Sequence, residues 1–206
     1  MLIAVVSVYN DFPLIKKCIK SIYSYVDQIV CVDGAYTQFP HDIPWSTDGT
    51  LEYLEALPKV RLIKTKTAWP SQIEKRSRYL IGSHGDYYLM LDADEWVKNP
   101  EILKVHPPAD VIRITFVRTM DNFTYTLPKI FKHQPGIHYR HKHYWLHDGE
   151  GNSITTLRKT GPKYREAKFL DLIICHDTDL RSSKRQSAKK IYYDFERKTE
   201  GKISEE

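Results

Sequence analysis

An apolar run, Tyr87-Tyr88-Leu89-Met90-Leu91, leads directly into Asp92-Ala93-Asp94. In an extended chain residues i and i+2 face the same side, so these two carboxylates are expected to converge just beyond a strand end. Close carboxylates in a partly dry site repel, and one takes up a proton unless a cation lies between them. Hard divalent ions, Mg²⁺ or Mn²⁺, answer that demand because they prefer oxygen ligands and share them with substrate phosphates. The same spacing also fits an acidic loop that merely follows a strand, so the pair alone decides nothing.

The elements around it add weight. Leu2 to Val8 is a continuous apolar run, the pattern of a buried parallel strand. Asn10 or Asp11 then caps a helix with Pro13 in its first turn and Leu14, Ile15, Cys18, Ile19, Ile22 and Val26 on one face. Gln28 to Asp33 is a second buried strand, ending in an acid and Gly34, and Val60 to Ile63 a third. Ser46-Thr47-Asp48-Gly49-Thr50 caps a short helix, and Ser71-x-x-Glu74 is a capping box for a helix reaching about Ile81. Strands alternating with helices imply crossovers and a parallel sheet. Ligands of such sheets bind outside the carboxyl ends of the strands. Asp33, Asp92 and Asp94 therefore share one edge.

The 206 residues suffice for one large α/β unit over residues 1–206. Within it, 1–100 forms a first half, 101–180 a second, and 181–206 a basic helix and tail. Hydrophobic residues make up 41% and charged ones 28%, which excludes a disordered chain, and no apolar run is long enough for a membrane span. Cys18, Cys31 and Cys175 are odd in number and sit in apolar segments, so reduced thiols in a cytoplasmic protein are expected. A net charge of +5 suits an anionic substrate without demanding one.

The later sequence changes character. Val111 to Val117 is another strand, followed by a turn near Asp121-Asn122. His133, His138, His141, His143 and His147 alternate with aromatics, which fits a β-ribbon with stacking rings; no cysteine accompanies them, which weighs against a zinc site. Leu170 to Cys175 is a last strand leading into His176-Asp177. Ser182 to Lys198 reads as a basic helix with Ala188, Ile191, Tyr192 and Phe195 on its apolar face. Lys184, Arg185, Lys189 and Lys190 suit docking, an anionic membrane surface or nucleic-acid phosphates.

The order I-A-V-V-S-V-Y-N-D, I-V-C-V-D-G, S-T-D-G-T and K-R-S-R-Y-L-I-G-S-H-G-D-Y-Y-L-M-L-D-A-D-E resembles the GT-A fold glycosyltransferases of the large family-two group. The resemblance covers about the first hundred residues and is loose thereafter. It implies a GT-A, Rossmann-like, mostly parallel sheet with a small mixed β segment on the acceptor side and a C-terminal helix. It also implies transfer of a sugar, with inversion, from a nucleotide-diphosphate donor to a hydroxyl acceptor: a glycan, lipid-linked sugar, protein or modified nucleic-acid base.

By the same resemblance Val8, Tyr9 and Asn10 border the nucleotide pocket and Asp33 holds the base or ribose. Asp92 contacts the ribose or the ion, Asp94 ligates Mn²⁺ or Mg²⁺, Arg76 approaches the donor, and His176 completes the ion's shell. Asp148, beyond the aromatic segment, is the candidate base, with His147 and Glu150 as alternatives. Two departures stand out: Ala35 to Trp45 separates Val-Asp-Gly from Ser-Thr-Asp-Gly-Thr, and Ser77 follows the arginine where the family has asparagine. Nucleotidyl transfer, or sugar-nucleotide binding without turnover, remain the competing functions; the former usually wants a glycine-rich loop that Ser7-Val8-Tyr9-Asn10 lacks.

Overall fold

The apolar run at the start forms β1 (Leu2–Val8), with six of its seven residues buried. Burial on both faces requires an interior position, and β1 is flanked by β2 (Gln28–Asp33) and β4 (Tyr87–Asp92), both parallel to it. β3 (Val60–Ile63) extends the sheet beyond β2. The connections carry α1 (Phe12–Ile22), α2 (Thr50–Glu55) and α3 (Gln72–Arg78). The structure is a computed structural model. It describes all residues except 106–107, 141, 157–158, 178–180, 182 and 204–206, and the side chains of all but these and 142–144, 184–185 and 196–203.

The sheet continues in mixed sense. β7 (Phe123–Lys132) runs antiparallel to both β4 and β6 (Val111–Arg118), and β11 (Glu166–His176) lies parallel to β6. β5 (Glu95–Lys98) closes the far edge against β11, giving the order β3-β2-β1-β4-β7-β6-β11-β5. Only Ala93 and Asp94 separate β4 from β5, yet the two strands stand four places apart in that order. The sheet must therefore curl. This strand is absent from the sequence expectation, because Glu-Trp-Val-Lys is too short and too charged to register as one.

β8 (His138–Arg140), β9 (Lys142–His147) and β10 (Ser153–Thr155) form a small antiparallel sheet. With α3 it covers one face of the large sheet, where Ile3, Val5, Tyr88, Met90, Tyr139 and Leu146 pack together. The other face packs Ala4, Val6, Leu89 and Leu91 against Ile15, Cys18 and Ile19 of α1. All three cysteines are free and buried, as expected. Among the described residues no helix is long and apolar enough to cross a membrane.

Two local devices differ from expectation. Asp11 makes no side-chain cap on α1. Asp48 does that work from afar, its Oδ2 accepting from Phe12 N at 2.9 Å while its Oδ1 accepts from Thr50 N at 3.2 Å. The second is α4 (Ser183–Ile203), where Ile191 and Phe195 are exposed. Its buried side is Tyr192, with Ala188 and Tyr193 beside it, because this side meets the rings of Tyr36 and Phe39.

Candidate active site

Val8, Asp33, Asp92, Arg118 and His176 end mutually parallel strands and so mark the carboxyl edge of the sheet. Asp92 Oδ1 accepts from Arg76, a residue of α3 that is only 5% exposed. Arg76, expected to approach the donor, is thus a buried partner of the first acid. Ala93 and Asp94 form a turn rather than continued strand, so the i, i+2 geometry gives way there. Asp94 is 2% exposed. Its Oδ2 lies 3.0 Å from His176 Nε2 and 3.1 Å from Arg181 Nη1, while its buried Oδ1 has no hydrogen-bond partner among the described residues.

Three groups that the sequence reading missed complete the set. Arg181 reaches across to Asp11, with Nε 3.3 Å from Oδ1, so one guanidinium spans two carboxylates. Glu95 is buried and held by Lys129 Nζ at 2.7 and 2.8 Å, and its Oε2 also accepts from Asp92 N at 2.9 Å. Lys75 is buried and donates to Val8 O at 2.8 Å. No spacing rule could pair these residues, since Asp11 and Arg181 lie 170 positions apart.

The electrostatics follow from these neighbours. Burial alone would raise the Asp94 carboxyl, but the His176 hydrogen bond and the Arg181 charge overcome it and hold the group down at about 2. Burial also works against the Arg76 charge, yet adjacent Asp92 keeps it protonated well beyond its ordinary range. Glu95 goes the other way: burial pushes it up, and Lys129 only partly offsets this.

Other predicted residues sort differently. Val8 and Tyr9 line a cavity at this edge together with Arg76, Asp92 and Arg181. Asn10 does not line it. That residue sits at a left-handed φ of 47°, with its amide oxygen accepting from Thr47 N at 2.8 Å. Asp33 is fully buried and both its oxygens accept from Ser46, one from the hydroxyl and one from the backbone N–H. Its carboxylate is spent on fixing the 46–50 loop, and its raised pKa reflects burial.

Asp148 lies elsewhere. Gly149 N donates to Pro135 O, and His133 N donates to Asp86 O just before β4 begins. This segment therefore lies at the amino edge, a strand length of about 16 Å from Asp92. The Asp148 carboxylate accepts from Glu150 N at 3.0 Å, Asn152 N at 2.8 Å, Asn152 Nδ2 at 2.9 Å and the Tyr164 hydroxyl. These bonds hold it well below the usual carboxylate range and tie it to its own loop. His147 and Glu150 share that edge. His141 and the His143 side chain lie outside the described residues. His138 and His147 face each other across β8 and β9 with ring centroids 6.0 Å apart, but no group of three potential metal ligands is found among the described residues.

The cavity itself is small, about 60 Å³, against the roughly 300 Å³ at which small-molecule sites begin. Lys189 and Tyr193 of α4 help to wall it, and the neighbouring Tyr192 meets Tyr36 edge-on with centroids 4.6 Å apart.

With this edge in view, the family can be stated. A family model described as Glycosyl transferase family 2 matches residues 3–178. The chain belongs to glycosyl transferase family 2. No curated protein sequence matches it. Among solved structures it is similar to S. aureus TarS 1-349 at 20% identity and a TM-score of 0.46, over 57% of this chain and 36% of that one. The same protein in complex with UDP-GlcNAc gives 20% identity and a TM-score of 0.44. A nucleotidyl transferase from Methanothermobacter thermautotroptrophicus gives 16% and 0.40, over 57% of this chain and 62% of that one. The chain thus spans about a third of the length of the TarS fragment it matches. In this family member the acids of the D-x-D run are each met by an arginine from another element.

Proposed function

We propose that this chain transfers a glycosyl group from a nucleotide-diphosphate sugar to a hydroxyl acceptor. The observation that carries the reading, beside the family, is Asp94. It is a buried, ionised carboxylate with one oxygen lacking a hydrogen-bond partner, set at the strand edge where α/β sheets bind ligands.

That orphaned oxygen suits a hard divalent cation, and Asp94 would hold Mn²⁺ or Mg²⁺ together with oxygens of the donor's phosphates, since the described residues supply no group of three ligands. When bound, the ion shields the charge that develops on the departing diphosphate. The chain's own residues supply the rest. Arg76 and Lys75, buried beside the cavity, face the diphosphate with fixed positive charge. Val8 and Tyr9 border the nucleoside, and Arg181 exchanges a carboxylate for a phosphate oxygen as the donor enters. The acceptor oxygen bonds to the anomeric carbon while that carbon's bond to the diphosphate breaks, its electron pair leaving with the phosphate. The hydroxyl proton passes to a base, which by geometry belongs to the carboxyl edge rather than to Asp148.

Thermal-shift measurement with uridine and guanosine diphosphates and their sugar conjugates, with and without Mn²⁺, tests this. Stabilisation by a diphosphate that requires the metal is the expected result. A preference for nucleoside triphosphates would favour nucleotidyl transfer instead, and no response to any nucleotide would remove the reading.

A further inference from the structure

Beyond Arg181 lies a second cavity of about 490 Å³, a size typical of small-molecule sites. The hairpin of β6 and β7 contributes Arg118, Met120 and Tyr125, α4 contributes Gln186 and Lys190, and His176 joins them. Arg181 lines both cavities, so whatever fills the second one abuts the first.

Two physical features are combined there. The first is sign: none of the described lining residues is acidic, and although Arg118 is paired with Asp121 and Arg181 with Asp11 and Asp94, Lys189 and Lys190 add further positive charge. A cleft lined with one sign of charge concentrates ligands of the other. The second is a row of rings. Phe123 to Tyr125 is 5.5 Å, Tyr125 to Phe116 is 5.1 Å and Phe116 to His176 is 5.3 Å between centroids. The row runs from a hairpin tip, where Met120 is 66% and Phe123 57% exposed, to the imidazole that touches Asp94. Flat aromatic faces pack against the C–H face of a sugar, and the cations beside them answer an anionic substituent.

We propose that this cavity receives the acceptor, and that the acceptor is a sugar bearing a phosphate or carboxylate group. The ring lies on Tyr125, the anion meets Lys190 beside Lys189, and the hydroxyl points past His176 to the donor. This rests on the glycosyl-transfer reading and deepens it. An open cavity of this size takes one or two sugar rings, whereas a nucleic-acid surface needs a groove that follows several phosphates.

The test uses the full chain loaded with Mn²⁺ and whichever of uridine or guanosine diphosphate stabilises it. Calorimetric titration compares glucose 6-phosphate, glucuronate, methyl glucoside, inorganic phosphate and a short single-stranded DNA. The two anionic sugars are expected to bind at least tenfold more tightly than methyl glucoside and than phosphate. Lys190→Gln should cut that preference at least threefold, and Tyr125→Ala should weaken all three sugars, with nucleotide affinity unchanged in both variants. Equal binding of methyl glucoside, phosphate or DNA, or a preference that survives Lys190→Gln, would overturn the inference while leaving nucleotide binding intact. Failure of both diphosphates to bind would overturn the functional reading itself.

Discussion

The two edges of the large sheet both carry acids, but they satisfy them by different means. At the amino edge backbone amides make the close contacts, with Arg165 Nε and Lys163 Nζ standing farther off at 3.5 Å from Asp110 and Asp148: Asp27 accepts from Leu2 N at 2.6 Å, Asp110 from Arg165 N at 2.9 Å, and Asp148 from two amides of its own loop. At the carboxyl edge the partners are cationic side chains from distant elements, as in Asp92 with Arg76, Asp94 with Arg181 and Glu95 with Lys129. An amide bonded within a loop cannot leave without unfolding that loop. A guanidinium on a side chain can swing from a carboxylate to a phosphate. Acids held by side-chain charges are the ones a ligand can re-partner, and Asp33, held by Ser46, belongs by this criterion with the structural set.

The sharpest way to break that comparison is to neutralise one acid from each edge. Asp94→Asn is expected to lower the transfer rate by about 10²–10³-fold, the scale of losing a group that acts on developing charge, with circular dichroism unchanged. Asp148→Asn should leave transfer within about threefold while lowering the urea midpoint. An equal loss of rate in both variants would erase the distinction between the edges.

Next in size is the buried pair. Lys129→Met leaves Glu95 as an uncompensated buried acid and should cost about 3–5 kcal/mol in urea unfolding, as is usual when half a buried ion pair is removed. Replacing Glu95 as well, by Leu, should recover most of it.

The dependence on pH comes third. Asp94 is depressed to about 2, below the roughly 3.9 of an unfolded aspartate. Its stabilisation is therefore full above about pH 4 and lost as pH falls toward 2. Urea titrations at pH 5 and pH 2.5 should show the gap between the wild type and Asp94→Asn shrinking at the lower pH. A gap that widens would contradict the assigned ionisation.

The smallest effect concerns Asp48, where Asp48→Ala removes the cap on α1 and should cost about 1 kcal/mol. Nucleotide-induced thermal shifts should stay as they were.

Much of the parallel half was legible because local pattern determines it. Buried strands are continuous apolar runs, so β1, β2 and β3 carry the bounds the sequence suggests. The positions of Asp92 and His176 at strand ends were legible as well, since each directly follows an apolar stretch. Arg181, Asp11 and Lys129 were not, because ion pairs over such separations depend on the curl of the sheet, which no local signal encodes. Asp148 failed for a related reason. The sequence shows a hairpin of histidines and aromatics but not which of its ends faces the donor, and backbone bonds from Gly149 to Pro135 and from His133 to Asp86 tie the Asp148 end to the amino edge.

The guanidinium that bridges Asp11 and Asp94 gives the edge an internal counter-ion. Chelating agents should accordingly leave the melting of the nucleotide-free chain untouched, in contrast to metalloproteins whose folding waits for their ion. On the proposed reading the protein would be made and stored without a metal, and the cation would be a companion of the sugar donor rather than a part of the scaffold.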